Sequence, residues 1–72
     1  MYREFTDRDH EQAVVRVQTP RCFYSVAIRK RRDLLTVIGP GVNEDYTLST
    51  WPAELSYEAL ALCAVLYFEE GE

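Results

Sequence analysis

From Ala13 to Gln18 the chain alternates. Ala13, Val15 and Val17 fall on one side and Val14, Arg16 and Gln18 on the other, the period of two of a half-buried strand. Thr19-Pro20 ends it. A second alternating stretch runs from Cys22 to about Arg29, with Cys22, Tyr24, Val26 and Ile28 on one face and Phe23, Ser25, Ala27 and Arg29 on the other. After Lys30-Arg31-Arg32-Asp33, the segment from Leu34 to Ile38 is apolar on both faces except at Thr36, the pattern of a central or doubly covered strand. Gly39-Pro40-Gly41 is placed for a tight turn. A loop through Val42-Asn43-Glu44-Asp45 then leads to a short strand at Tyr46-Thr47-Leu48.

The last third predicts helix. Ser56 is placed to cap a helix from Tyr57 to about Glu70; alternatively, Ser49 or Thr50 caps an earlier turn with Pro52 near its start. Ten consecutive nonpolar residues, Ala59 to Phe68, coat this helix all round, whereas a surface helix needs only one apolar stripe. A sheet covers one side. The rest, including Leu62 and Leu66 or Tyr67, calls for cover by the N-terminal arm, a second copy of the chain or a different partner. Met1 to Gln12 lacks a clean period and predicts a loose arm or a short helical turn capped by Thr6. Together these elements predict one α+β domain over residues 1–72, a three- or four-stranded antiparallel sheet with the C-terminal helix packed on one face.

Composition adds limits. A 72-residue chain buries only about 60% of the surface it exposes when unfolded, so its stability margin is thin. With 47% hydrophobic and 28% charged residues it is composed like an ordinary globular protein. No apolar stretch approaches the roughly 20 residues of a bilayer span, and Met1-Tyr2-Arg3-Glu4 does not begin a signal peptide; a cytoplasmic location is expected. Cys22 and Cys63 each sit in an apolar run and predict two reduced, buried thiols.

The net charge of −4 hides a polarity. Residues 1–32 hold all eight bases against four acids, a balance of +4, whereas residues 33–72 hold eight acids and no base, −8. Such asymmetry points to interaction surfaces.

Catalytic chemistry is hard to build from this chain. His10, the only histidine, stands in a charged stretch with no serine or cysteine nearby to activate, and Glu44-Asp45 is the kind of acidic pair that loops keep solvated. Zinc needs about four ligands, and Cys22, Cys63 and His10 include no close pair. Gly39-Pro40-Gly41 is not a phosphate loop. The expectation is a protein that is not an enzyme and takes no cofactor and no metal.

Arg29-Lys30-Arg31-Arg32 is the strongest local signal. Four cations in one turn repel one another, and an anionic partner surface would relieve them; otherwise the turn serves only solubility. Arg16 and Arg21 reinforce the functional reading. Trp51 is either a lid on the small core or an interface anchor, since Trp and Arg often dominate binding energy. Glu69-Glu70-Gly71-Glu72 sets anions at a helix C-terminus, where the dipole disfavours them; no folding advantage is evident, so this tail meets a basic surface or frays in water. Arg21-Cys22-Phe23-Tyr24-Ser25-Val26-Ala27-Ile28 is similar to the RNA-recognition strand signature at Arg21, Phe23 and Val26, and departs from it at the glycine and at two aromatic positions. The candidate partner-binding residues are Arg16, Phe23, Arg29, Lys30, Arg31, Arg32 and Trp51.

In size, composition and charged patches the whole chain resembles the short regulatory products of bacteriophages that infect GC-rich bacteria. Some of those proteins bind host RNA polymerase and alter transcription; others block CRISPR effectors. The resemblance implies a protein-binding regulator or inhibitor, with host RNA polymerase as a partner. A nucleic-acid-binding module using the basic turn, or a homodimer through the C-terminal helix, are the alternatives.

Overall fold

The computed structural model describes residues 2–6 and 12–71. Its strands are β1 (Tyr2–Thr6), β2 (Gln12–Gln18), β3 (Phe23–Arg29), β4 (Leu34–Gly39) and β5 (Val42–Thr47), followed by helix α1 (Tyr57–Glu70). The sheet is an antiparallel meander in the order β1-β2-β3-β4-β5, and α1 crosses one face over β2 and β3, reaching β1. This is the predicted α+β architecture. Three strands, β2, β3 and β4, stand where the pattern puts them.

Two elements differ from expectation. Residues 2–6 form strand β1 rather than a loose arm or helical turn, pairing Tyr2 with Arg16 and Phe5 with Val14 across a register shift; Met1, His10 and the rest of 7–11 lie outside the described residues. β5 begins at Val42, not Tyr46. Pro40 and Gly41 turn the chain in two residues, with Gly41 at φ +72°, the geometry Pro-Gly favours, and the polar run Asn43-Glu44-Asp45 is tolerated because β5 is an edge strand.

Alternation then sorts the side chains. Ala13, Val15 and Val17 of β2, Tyr24, Val26 and Ile28 of β3, and Leu35 and Val37 of β4 are buried toward the helix. The helix answers with Tyr57, Leu60, Ala61, Ala64 and Val65, the i, i+3, i+4 spacing of one face. Ser56 caps it, its Oγ accepting from the Ala59 amide at 3.1 Å. The opposite helix face stays largely open: Leu62, Leu66 and Tyr67 are exposed, although one side of the Tyr67 ring meets Tyr46 and Trp51. Cys63 lies on that face and is exposed, while Cys22 is half-buried and both are free thiols. Cys63 therefore corrects the expectation of two buried thiols; a helix apolar all round cannot bury every position against a sheet on one side.

The acidic tail also needs correction. One oxygen of Glu69 accepts from the Thr19 hydroxyl at 2.7 Å and from the Tyr24 hydroxyl at 2.9 Å, so this carboxylate fastens the helix end to β3 and to the turn before it. The Thr19 bond, then that of Tyr24 and the charge of Arg21, hold its carboxyl below the ordinary value against the opposing effect of burial. The Cys22 thiol, burial and Glu69 push the Tyr24 hydroxyl well up. Gly39 lies against the same tyrosine: a Cβ there would stand 2.9 Å from Tyr24 Cδ1.

Candidate partner-binding face

The side of the sheet away from α1 is bare among the described residues. Its register sets out four rows: Gln18–Phe23; Arg16–Ser25–Ile38–Asn43; Val14–Ala27–Thr36–Asp45; and Gln12–Arg29–Leu34–Thr47. β4 is a central strand, as its apolar pattern predicts, and on this face its Ile38 is nonetheless 42% exposed. Phe23 is 59% exposed and lies diagonally across from Ile38, with Arg16 on the opposite flank of Ser25. Cross-strand diagonals of this kind are within reach of aromatic side chains. At the centre Ala27 and Thr36 are buried, and the Thr36 hydroxyl donates to Asp45 at 2.7 Å.

Three of the candidate residues, Arg16, Phe23 and Arg29, share this face. Phe23 and Arg29 are at opposite ends of β3, about 20 Å apart at the usual strand rise, and Arg16 is level with the residues between them. Lys30, Arg31 and Arg32 continue from Arg29 as one 3-10 turn. That turn is built, not loose. Asp33 closes it in the left-handed region at φ 54°, its amide donating to the Lys30 carbonyl at 3.1 Å. The Asp33 carboxylate accepts from the Ser49 amide and the Ser49 hydroxyl, both at 2.8 Å, and its carbonyl accepts from the Leu48 amide at 3.0 Å. The basic turn is thereby pinned to the 3-10 turn Leu48–Thr50. Arg31 and Arg32 are exposed, whereas Lys30 turns its Nζ over the Tyr57 ring, 5.1 Å from the centroid, a cation–π contact.

Trp51 goes elsewhere. It is half-buried on the helix side and meets Tyr46 and Tyr67 edge to face, with centroids 6.4 and 5.9 Å away, while Tyr46 and Tyr67 are 5.7 Å apart. Its indole N–H is buried without a partner among the described residues. Burial, then the charge of Glu44 and the neighbouring Tyr67, push the Tyr46 hydroxyl up. Trp51 also forms a wall shared by two clefts. One, of about 370 Å³, runs past Lys30, Leu48, Pro52 and Leu55; the other, of about 540 Å³, runs along β5. The aromatic trio was not legible in the sequence, because Tyr46, Trp51 and Tyr67 come from a strand, a connection and a helix.

Among the described residues no helix is long and apolar enough to cross a membrane, and no three His, Cys, Asp or Glu side chains gather as metal ligands do. Comparison with protein-family models, curated proteins and solved structures found no match.

Proposed function

We propose that this chain is a non-enzymatic, protein-binding regulator acting in the cytoplasm, with the open sheet face and the basic turn as its contact surface. The observation that carries this reading is Phe23, more than half exposed beside Ile38 on a face edged by Arg16 and Arg29. An aromatic anchor on a rigid sheet, with cations around it, is the composition of an interface centre and its rim. Leaving Phe23 and Ile38 in water has no folding benefit, and the Asp33 anchorage holds the charged turn in one conformation before any partner arrives, which lowers the entropy cost of binding. The partner surface is then apolar at its centre and acidic toward the turn. Following the resemblance to phage regulators, bacterial RNA polymerase is the partner to test first, with inhibition or reprogramming of transcription as the outcome.

A second reading, nucleic-acid binding, draws on the same arrangement, since an exposed aromatic flanked by arginines is a stacking platform for bases. It is weaker. Asp45 shares the face, and its charge repels phosphate. Affinity capture from a nuclease-treated bacterial lysate separates the two. Retention of RNA polymerase after nuclease, and its loss with Arg31→Glu/Arg32→Glu, supports the protein-binding reading; material that vanishes with nuclease supports the other.

A further inference from the structure

On the helix side of the sheet, against edge strand β5, lies a second surface of different chemistry. The cleft of about 540 Å³ is lined by Asp45, Tyr46, Thr47, Thr50, Trp51 and Tyr67. Three of these six are the mutually perpendicular rings, with interplanar angles of 76°, 85° and 90°, so the wall shows ring faces in more than one direction. Tyr67 is 60% exposed, although its ring touches two others. Acid stands beside the rings: Glu44 shares the helix-side face of β5 with Tyr46, and its charge acts on the Tyr46 hydroxyl, whereas Asp45 borders the cleft with its carboxylate held by Thr36 on the opposite face; no base occurs after Arg32. Lys30 lines the other cleft and is held over Tyr57.

Aromatic faces carry negative quadrupole density and attract cations, tryptophan most strongly. A neighbouring carboxylate adds charge and an acceptor. Arginine fits this pair of features better than lysine does, because its flat, weakly hydrated guanidinium stacks on a ring while its edge donates to a carboxylate. β5 is also an edge strand, so one of its sides offers backbone groups to which an extended segment can pair.

We propose that this aromatic cleft is a second binding site, which takes an arginine side chain presented by an extended segment of a partner protein lying along β5. The site is separate from the open sheet face, and each stands or falls without the other. A partner that engages both would be acidic at the basic turn and basic at β5, matching the polarity of the chain itself.

The chain reports on its own site, because Trp51 is its single tryptophan. The test titrates the full chain with N-acetyl-Ser-Gly-Arg-Gly-Ser-amide, with the same peptide carrying neutral citrulline in place of arginine, and with tetramethylammonium, following Trp51 fluorescence and the indole N–H resonance. The expected result is saturable binding of the arginine peptide, weakened at least about fivefold by citrulline, lost in Tyr67→Ala and kept in Tyr67→Phe, with circular dichroism showing both variants folded. Glu44→Gln weakens it as citrulline does. Equal responses to arginine and citrulline, no saturable response, or tighter binding of tetramethylammonium than of the peptide would each overturn the proposal. Because no partner protein is used, failure here leaves the open-face reading to its own test.

Discussion

The Tyr24 hydroxyl donates to the Glu69 carboxylate across 2.9 Å, joining positions 45 residues apart in sequence, one in the sheet and one in the last turn of the helix. With Thr19 on the same oxygen at 2.7 Å, the carboxylate closes the end of the domain that the helix dipole alone would leave unfavourable. Since these bonds hold the Glu69 carboxyl below its ordinary value, they stabilise the fold above about pH 4.3, the usual glutamate value. That contribution is lost as pH falls through the lowered folded value. Wild type should therefore be more stable than Glu69→Gln at neutral pH, with the difference closing on acidification. Urea midpoints from pH 7 to pH 3 check this; a gap that stays constant would mean that the bonds do not depend on the charge.

Gly39 is tied to the same tyrosine. A methyl group there would meet the Tyr24 ring at 2.9 Å, and the ring is buried and anchored through its hydroxyl. Gly39→Ala should cost about 1–3 kcal/mol, the usual range for overpacking. Thermal unfolding reads the loss, and Tyr24→Leu in the same chain should recover part of it.

Neighbouring helix positions give opposite expectations. Val65 is fully buried and Leu66 is 46% exposed. Leu66→Glu should leave a folded protein within about 0.5 kcal/mol of wild type, as surface substitutions do. Val65→Glu should not fold at all, since an unpaired charge in the core exceeds what so small a domain can absorb. Circular dichroism of the two variants distinguishes them, and a folded Val65→Glu would refute the assignment of helix faces.

Asp33 carries both a left-handed backbone and two bonds to Ser49. Asparagine tolerates that conformation and keeps an acceptor for the Ser49 amide, whereas alanine does neither. Asp33→Ala should cost about 2 kcal/mol and Asp33→Asn about 1 or less. Chemical denaturation measures both.

Much of this fold was legible because its signals are local. Alternation fixed β2 and β3, a cap and an apolar run fixed α1, and Gly39-Pro40-Gly41 fixed a turn. What escaped has physical causes. Asn43-Glu44-Asp45 reads as loop because an edge strand tolerates polar residues facing water on either side, and Tyr2–Thr6 has no clean alternation to mark it as a strand. Glu69 reads as an idle acid because its partners, Thr19 and Tyr24, are recruited by folding from far away. The candidate site was half legible: Arg16, Phe23 and Arg29 alternate onto one face, while Trp51 joins Tyr46 and Tyr67 through contacts no spacing reveals.

The most direct test of the proposed role is the affinity of purified bacterial RNA polymerase for the chain, measured with nuclease-treated components for wild type, Phe23→Ala and Arg32→Glu. Both side chains are exposed, so both variants should stay folded within about 0.5 kcal/mol of wild type. The account predicts that Phe23→Ala weakens binding at least about tenfold, as loss of an anchor does, and that Arg32→Glu weakens it further at low salt than at high salt. Unchanged affinity in both folded variants would contradict the open face as the binding surface, and no binding by wild type would remove RNA polymerase as the partner.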